Sequence, residues 1–138
     1  MLSFLQLRKH QYSEIILIPN KGIGETESTG LSLKYDFAYE MDQNDKSRLM
    51  VRFKVNFDDP KENDQKKSLY RGSVEVLGFF EILDKNLNPE DDIVFISAGS
   101  ILYGVVREMV ASLTSRSIHG VIELPILNSK CFAPKSNP

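Results

Sequence analysis

Residues 97–132, SAGSILYGVVREMVASLTSRSIHGVIELPILNSKCF, contain the change of hydrophobic period that decides the fold. From Ala98 onward, apolar residues recur at helical spacing as Leu102, Val105, Val106, Met109, Val110 and Leu113. Arg107, Glu108, Ser112, Ser115 and Arg116 mostly fall elsewhere on the wheel. This spacing predicts an amphipathic helix with one face for a sheet and another for solvent or a partner. Ser117–Gly120 break it, with Arg116 and His119 near its electronegative end. Val121–Leu127 then read as extended, and Pro125 keeps them from being an ordinary central strand.

Upstream of this stretch the period is two. Residues 5–18 read as a first strand, irregular near His10 and Gln11, that ends at Pro19-Asn20. Lys21–Gly30 (KGIGETESTG) is a loop; its GxG precedes no helix pattern and no phosphate-loop lysine. Residues 31–41 alternate cleanly, with Leu31, Leu33, Tyr35, Phe37, Tyr39 and Met41 on one face. Residues 48–57 repeat the pattern with Leu49, Val51, Phe53, Val55 and Phe57, and the short QNDK turn between the two strands predicts an antiparallel hairpin. Asp58–Lys67 is a mixed-charge loop without a calcium-loop frame. Residues 69–83 form a fourth strand, with Gly72 and Gly78 marking bulges or close contacts. Asn88 then suits a cap, Pro89 the first helical position, and Glu90, Asp91 and Asp92 the positive helix end. The expected layout is one domain, 1–138, of the α+β class. It comprises a four-stranded antiparallel meander sheet, a long helix over about 89–117 kinked near Gly99, an extended crossover segment 118–132, and a frayed tail 133–138.

At 138 residues the chain can bury a modest core, and a formal charge of -2 leaves no electrostatic footprint for nucleic acid or anionic membrane. One cysteine, Cys131, excludes an internal disulfide framework and a cysteine-based zinc cluster, and favours a reducing compartment. Cys131 is expected to be buried as a small apolar residue. The amino terminus lacks an apolar core of signal-peptide length, and Ile15–Ile18 is too short to cross a bilayer, so the expected location is the cytoplasm without membrane insertion. His10 and His119 are isolated in sequence, and Asp58-Asp59 and Asp91-Asp92 read as loop and helix-start carboxylates. No catalytic or metal-binding role is assigned, no cofactor is expected, and an enzyme is not the expected reading.

The helix and the segment after it resemble the SecB export-chaperone family, in which a helix of the type ILFPYxRExIxxLxSR leads into a proline-containing crossover of the type LxPxNF. The matching positions are Ile101, Leu102, Tyr103, Arg107, Glu108, Leu113, Ser115, Arg116, Leu124, Pro125 and Asn128. The family's Asn-x-Pro before the helix core is absent, its mid-helix proline is Gly104, and after Asn128 there is no room for its second helix and acidic tail. The resemblance implies an ATP-independent holdase that binds non-native polypeptide in grooves lined by the second strand and the crossover segment. It also implies a homotetramer, a dimer of dimers with the long helices at the interface between dimers.

A large apolar inventory fits such a groove, though the strand row could equally be core. The expected client-binding residues are Leu33, Tyr35, Phe37 and Tyr39 on the strand, with Val121, Ile122, Leu124, Ile126 and Leu127 on the crossover. Ile101, Tyr103 and Val110 are expected at an oligomer contact. The resemblance also implies a role in protein export. The family docks on the translocase ATPase through acidic positions of the last strand, which align here with Arg71 and Ser73. A chaperone or adaptor dedicated to one partner, such as an antitoxin of a toxin–antitoxin system, is the alternative.

Overall fold

The computed structural model describes residues 4–20, 33–57 and 69–133. The expected loops 21–30 and 58–67, the strand residues Leu31 and Ser32, and the tail 134–138 lie outside the described residues. Four strands, β1 (Leu5–Pro19), β2 (Leu33–Met41), β3 (Arg48–Phe57) and β4 (Tyr70–Ile82), precede helix α1 (Asp92–Thr114) and a 3-10 turn, Ser129–Phe132. All strand pairs are antiparallel.

The order across the sheet is β1-β4-β3-β2, which corrects the expected meander. Strands β2, β3 and β4 do run as a meander, but β1 pairs with β4. This is Greek-key connectivity run in reverse. The 15 residues of β1 lie along the 13 of β4, whereas β2 has nine among the described residues. The β2–β3 hairpin forms as expected, with Phe37 opposite Phe53 and Met41 opposite Leu49. Its turn is held by two successive aspartates, Asp42 accepting from the Asn44 N–H and Asp45 from the Ser47 N–H.

Strand β1 carries two bulges, between Leu7 and Lys9 and between Tyr12 and Glu14, which bracket His10 and Gln11. The extra residues turn toward acids on the helix-free face: Arg8 Nε lies 2.6 Å from Glu81, and Ser13 Oγ donates to Glu75 at 2.6 Å. Gly78 lies beneath the helix, where a Cβ would come within 2.8 Å of Leu102 Cδ1.

Leu49, Val51, Phe53, Val55 and Phe57 of β3 and Val74, Val76, Phe80 and Ile82 of β4 form the sheet half of the core. Helix α1 covers them with Val94, Ala98, Leu102, Val106 and Val110, a ridge of four-residue steps. The helix begins later than expected. Asp91, not Asn88, is the N-cap and accepts from the Ile93 N–H, while Asn88 closes the preceding turn by accepting from the Glu90 N–H. The helix runs unbroken through Gly99. Its length and apolarity would also suit a bilayer, but here its apolar ridge is packed on the sheet.

Gly104 faces open space, with nothing within 4 Å of a Cβ placed there. Gly104→Ala is therefore expected to raise stability by about 0.5–1 kcal/mol, the ordinary helix-interior difference. A urea titration of the two proteins checks this, and a lower midpoint for the alanine variant would contradict it.

Candidate polypeptide-binding groove

The residues after the helix run back along it and are fastened by side chains gripping backbone. Thr114 Oγ1 accepts from the Ile122 N–H at 2.8 Å, Arg107 Nε donates to the Leu124 carbonyl at 3.0 Å, and the Tyr103 hydroxyl donates to the Pro125 carbonyl. The Tyr39 hydroxyl donates to the Phe132 carbonyl at 2.6 Å. At the far end Tyr70 donates to the Gly120 carbonyl at 3.2 Å, and His119 Nε2 lies 2.7 Å from the carbonyl of Asn20. Ile122, Leu124 and Phe132 insert into the core as apolar anchors.

This packing corrects two of the three residues expected at an oligomer contact. Tyr103 and Val110 are core residues, at 5% and 0% exposure, and Ile101 alone is exposed. The reason is that α1 buries two ridges. One faces the sheet, and the other, Phe95–Gly99–Tyr103–Arg107, meets the returning segment. Leu113, assigned to the core stripe, is exposed, and Val105 and Met109 lie at its margin.

Between edge strand β2 and this second ridge lies a groove of about 790 Å³. Tyr35, Phe37, Tyr39 and Met41 line it from the strand, Glu90 and Phe95 from the helix start, and Cys131, Phe132 and Ala133 from the terminal turn. Its rings form a cluster around Phe53 and a separate pair at the helix start. Phe37 stacks on buried Phe53 at 4.4 Å, Tyr35 stacks on the same ring at 5.9 Å, and Tyr39 meets Phe95 edge-on at 5.0 Å. Burial pushes the Tyr39 hydroxyl up to about 12 and raises that of Tyr103, so both remain neutral donors at ordinary pH. Two acidic residues belong to the lining, Glu90 and Asp36, and the Asp36 carboxylate turns to Arg52 on the opposite sheet face.

Of the nine expected client-binding residues, the groove brings together Tyr35, Phe37 and Tyr39. Leu33 is half-buried outside it, Ile122 and Leu124 are core, and Leu127 is half-buried. Val121 and Ile126 are exposed, Ile126 at 85%, but do not line it. Cys131, expected to be buried, is exposed on the groove wall. Met41, Phe95 and Phe132 are lining residues that were not assigned to the site. The four-residue spacing of Phe95, Gly99 and Tyr103 was the signal that could have found the second ridge.

The opposite, helix-free sheet face is charge-compensated. Arg52 bridges Glu75 at 3.0 Å and Asp36 at 3.4 Å, and Lys54 lies 3.1 Å from Glu14. Hydrogen bonding from Ser13, then Arg52, holds the Glu75 carboxyl below its usual value of 4.5, and Ser73 and Lys54 lower Glu14. A depressed carboxylate gives stability that is present above its unfolded pKa and lost as pH falls through the folded one. The protein is therefore expected to lose stability progressively below about pH 4.5, and Glu75→Gln to flatten that slope. Urea midpoints between pH 3 and 6 read this directly; identical slopes for both proteins would refute it.

Among the described residues, no group of three or more His, Cys, Asp or Glu is placed to hold a metal ion. No protein-family model matches the chain. An uncharacterized protein of Methanocaldococcus jannaschii is 24% identical over 124 residues, 90% of this chain and 79% of that protein. The SecB-like chaperone Rv1957 of Mycobacterium tuberculosis, solved with a ChAD peptide from the HigA1 antitoxin, superposes with a TM-score of 0.66. It is 18% identical, with 90% of this chain and 91% of that chain covered. The four-stranded antiparallel sheet followed by one long helix is the SecB-like fold.

Proposed function

We propose that this protein is an ATP-independent chaperone, a binding protein rather than an enzyme, that holds extended non-native polypeptide in the groove between β2 and the terminal turn. The observation that carries this reading is the groove itself: about 790 Å³, floored by half-buried rings and placed beside a sheet edge. Apolar side chains of a client gain burial there, and β2, the edge of the sheet among the described strands, offers backbone hydrogen bonds that require no particular sequence. That the SecB-like neighbour is solved with a bound peptide supports the same use.

The proposed setting is the cytoplasm, and the proposed form a homo-oligomer. Ile15, Ile16 and Ile18 are exposed on β1, the edge of the sheet among the described strands, and Ile101 on the helix, so association would cover apolar surface at that edge. A role in export with translocase docking has weaker support, because the helix-free face is paired in charge rather than acidic.

A dedicated chaperone is the second reading, favoured by the antitoxin peptide bound to the neighbour. Native mass spectrometry of the protein purified gently from its own cells separates the two. A heterogeneous set of bound chains supports a general holdase, and one partner of a single mass supports a dedicated one. Failure to delay aggregation of an unfolded protein at stoichiometric amounts, with no bound chain recovered, would sink both.

A further inference from the structure

We propose that Phe132 is a built-in occupant of the groove, a plug whose place is taken by an aromatic side chain of the bound polypeptide. The inference rests on the reading of this groove as a polypeptide site and adds how it is regulated. The slot is notched for a ring. Gly99 leaves the gap in the helix, since a Cβ there would lie 2.7 Å from Phe132 Cβ. Phe37 meets the Phe132 ring edge-on at 4.9 Å, and Tyr103 lies at 5.8 Å. Phe132 is 2% exposed, so the slot's preferred occupant is visible: a phenyl ring already fills it. Phe37 lines both slot and groove and Phe132 stands between them, so withdrawal of the ring would merge the two.

The plug is lightly fastened. Residues 125–128, between the anchors Leu124 and Phe132, include no buried side chain. The terminal turn is one short 3-10 turn closed on itself, with Asn128 Oδ1 accepting from the Lys130 N–H and the Asn128 carbonyl from the Cys131 N–H. Apart from the ring contact with Phe37, the turn is held to the sheet by the hydroxyl of Tyr39, which donates to the Phe132 carbonyl. The turn can therefore swing out from 125–128 without opening the sheet or the helix. A client ring restores the burial that Phe132 gives up, and a client lacking one does not. The plug thus converts a general apolar groove into one that discriminates for aromatic segments.

The test uses 4-fluorophenylalanine placed at position 132, a near-isosteric label, with two extended peptides: one carrying a single phenylalanine and one with alanine in its place. Saturation with the phenylalanine peptide is expected to move the fluorine resonance from a buried to a solvent-accessible position, read by its H2O/D2O isotope shift. The alanine peptide is expected to bind about fivefold or more weakly. Tyr39→Phe, which keeps the ring and removes the tether, is expected to raise affinity for the phenylalanine peptide about two- to fivefold. A resonance that stays buried in the saturated complex, or a Tyr39→Phe variant with unchanged or lower affinity, makes Phe132 a fixed wall and overturns the plug. If neither peptide binds the folded, labelled protein, and reduced carboxymethylated lactalbumin does not bind either, the groove is not a polypeptide site and the plug falls with it.

Discussion

Gly72→Val is expected to cost at least about 3 kcal/mol and to leave little folded protein at physiological temperature. Gly72 has a φ of 122°, a region that side chains with a Cβ rarely enter. Its missing side chain would also point straight at β1, where a Cβ would stand 1.9 Å from the carbonyl oxygen of Ile16. That atom is backbone and part of the longest ladder in the sheet, so it has no rotamer by which to yield. Relief would require shifting the register of β1 against β4. A urea titration beside Gly104→Ala separates the two glycines: one midpoint should collapse while the other rises. A Gly72→Val midpoint near that of the parent would show that the strand pairing can slide.

Phe95→Asp is expected to keep the fold and to weaken binding of an unfolded polypeptide at least about tenfold, the effect of placing a charge where an apolar surface is buried. Phe95 lies in the first turn of α1, where a carboxylate is favoured by the helix dipole, and it is only half-buried. Its loss removes the edge-on partner of Tyr39 and sets a carboxylate beside Glu90 on the groove wall. Fluorescence anisotropy with labelled, reduced carboxymethylated lactalbumin reads the affinity, and far-UV circular dichroism with a urea titration confirms the fold. Retained affinity in a folded variant would move the binding surface away from this groove.

The alternation in β2 and β3 was legible because each strand has one wet face, so Tyr35, Phe37 and Phe53 announce their side by period alone. Strand order was not. Period two says which face a strand buries, not which neighbour it takes. The helix was legible as an element but misread at its surface. A single amphipathic stripe was expected, whereas α1 buries one ridge on the sheet and a second, through Gly99 and Tyr103, on the chain that returns along it. The groove followed the same logic. Its strand wall could be read from Leu33–Met41, but Phe95 and Phe132 lie far apart in sequence and meet β2 only through the return of the chain.

Besides its apolar anchors, that return is fastened by grips on its carbonyls and N–H groups, from Tyr39, Tyr103, Arg107 and Thr114. A grip on the main chain does not depend on which side chain the gripped residue carries. The outward positions Val121, Glu123 and Ile126 are therefore open to rewriting, while Ile122 and Leu124 keep the segment in place. Evolution, or a protein engineer, can exchange the lettering of this strap without unfastening it, and so alter what the surface beside the groove displays while the scaffold stays the same.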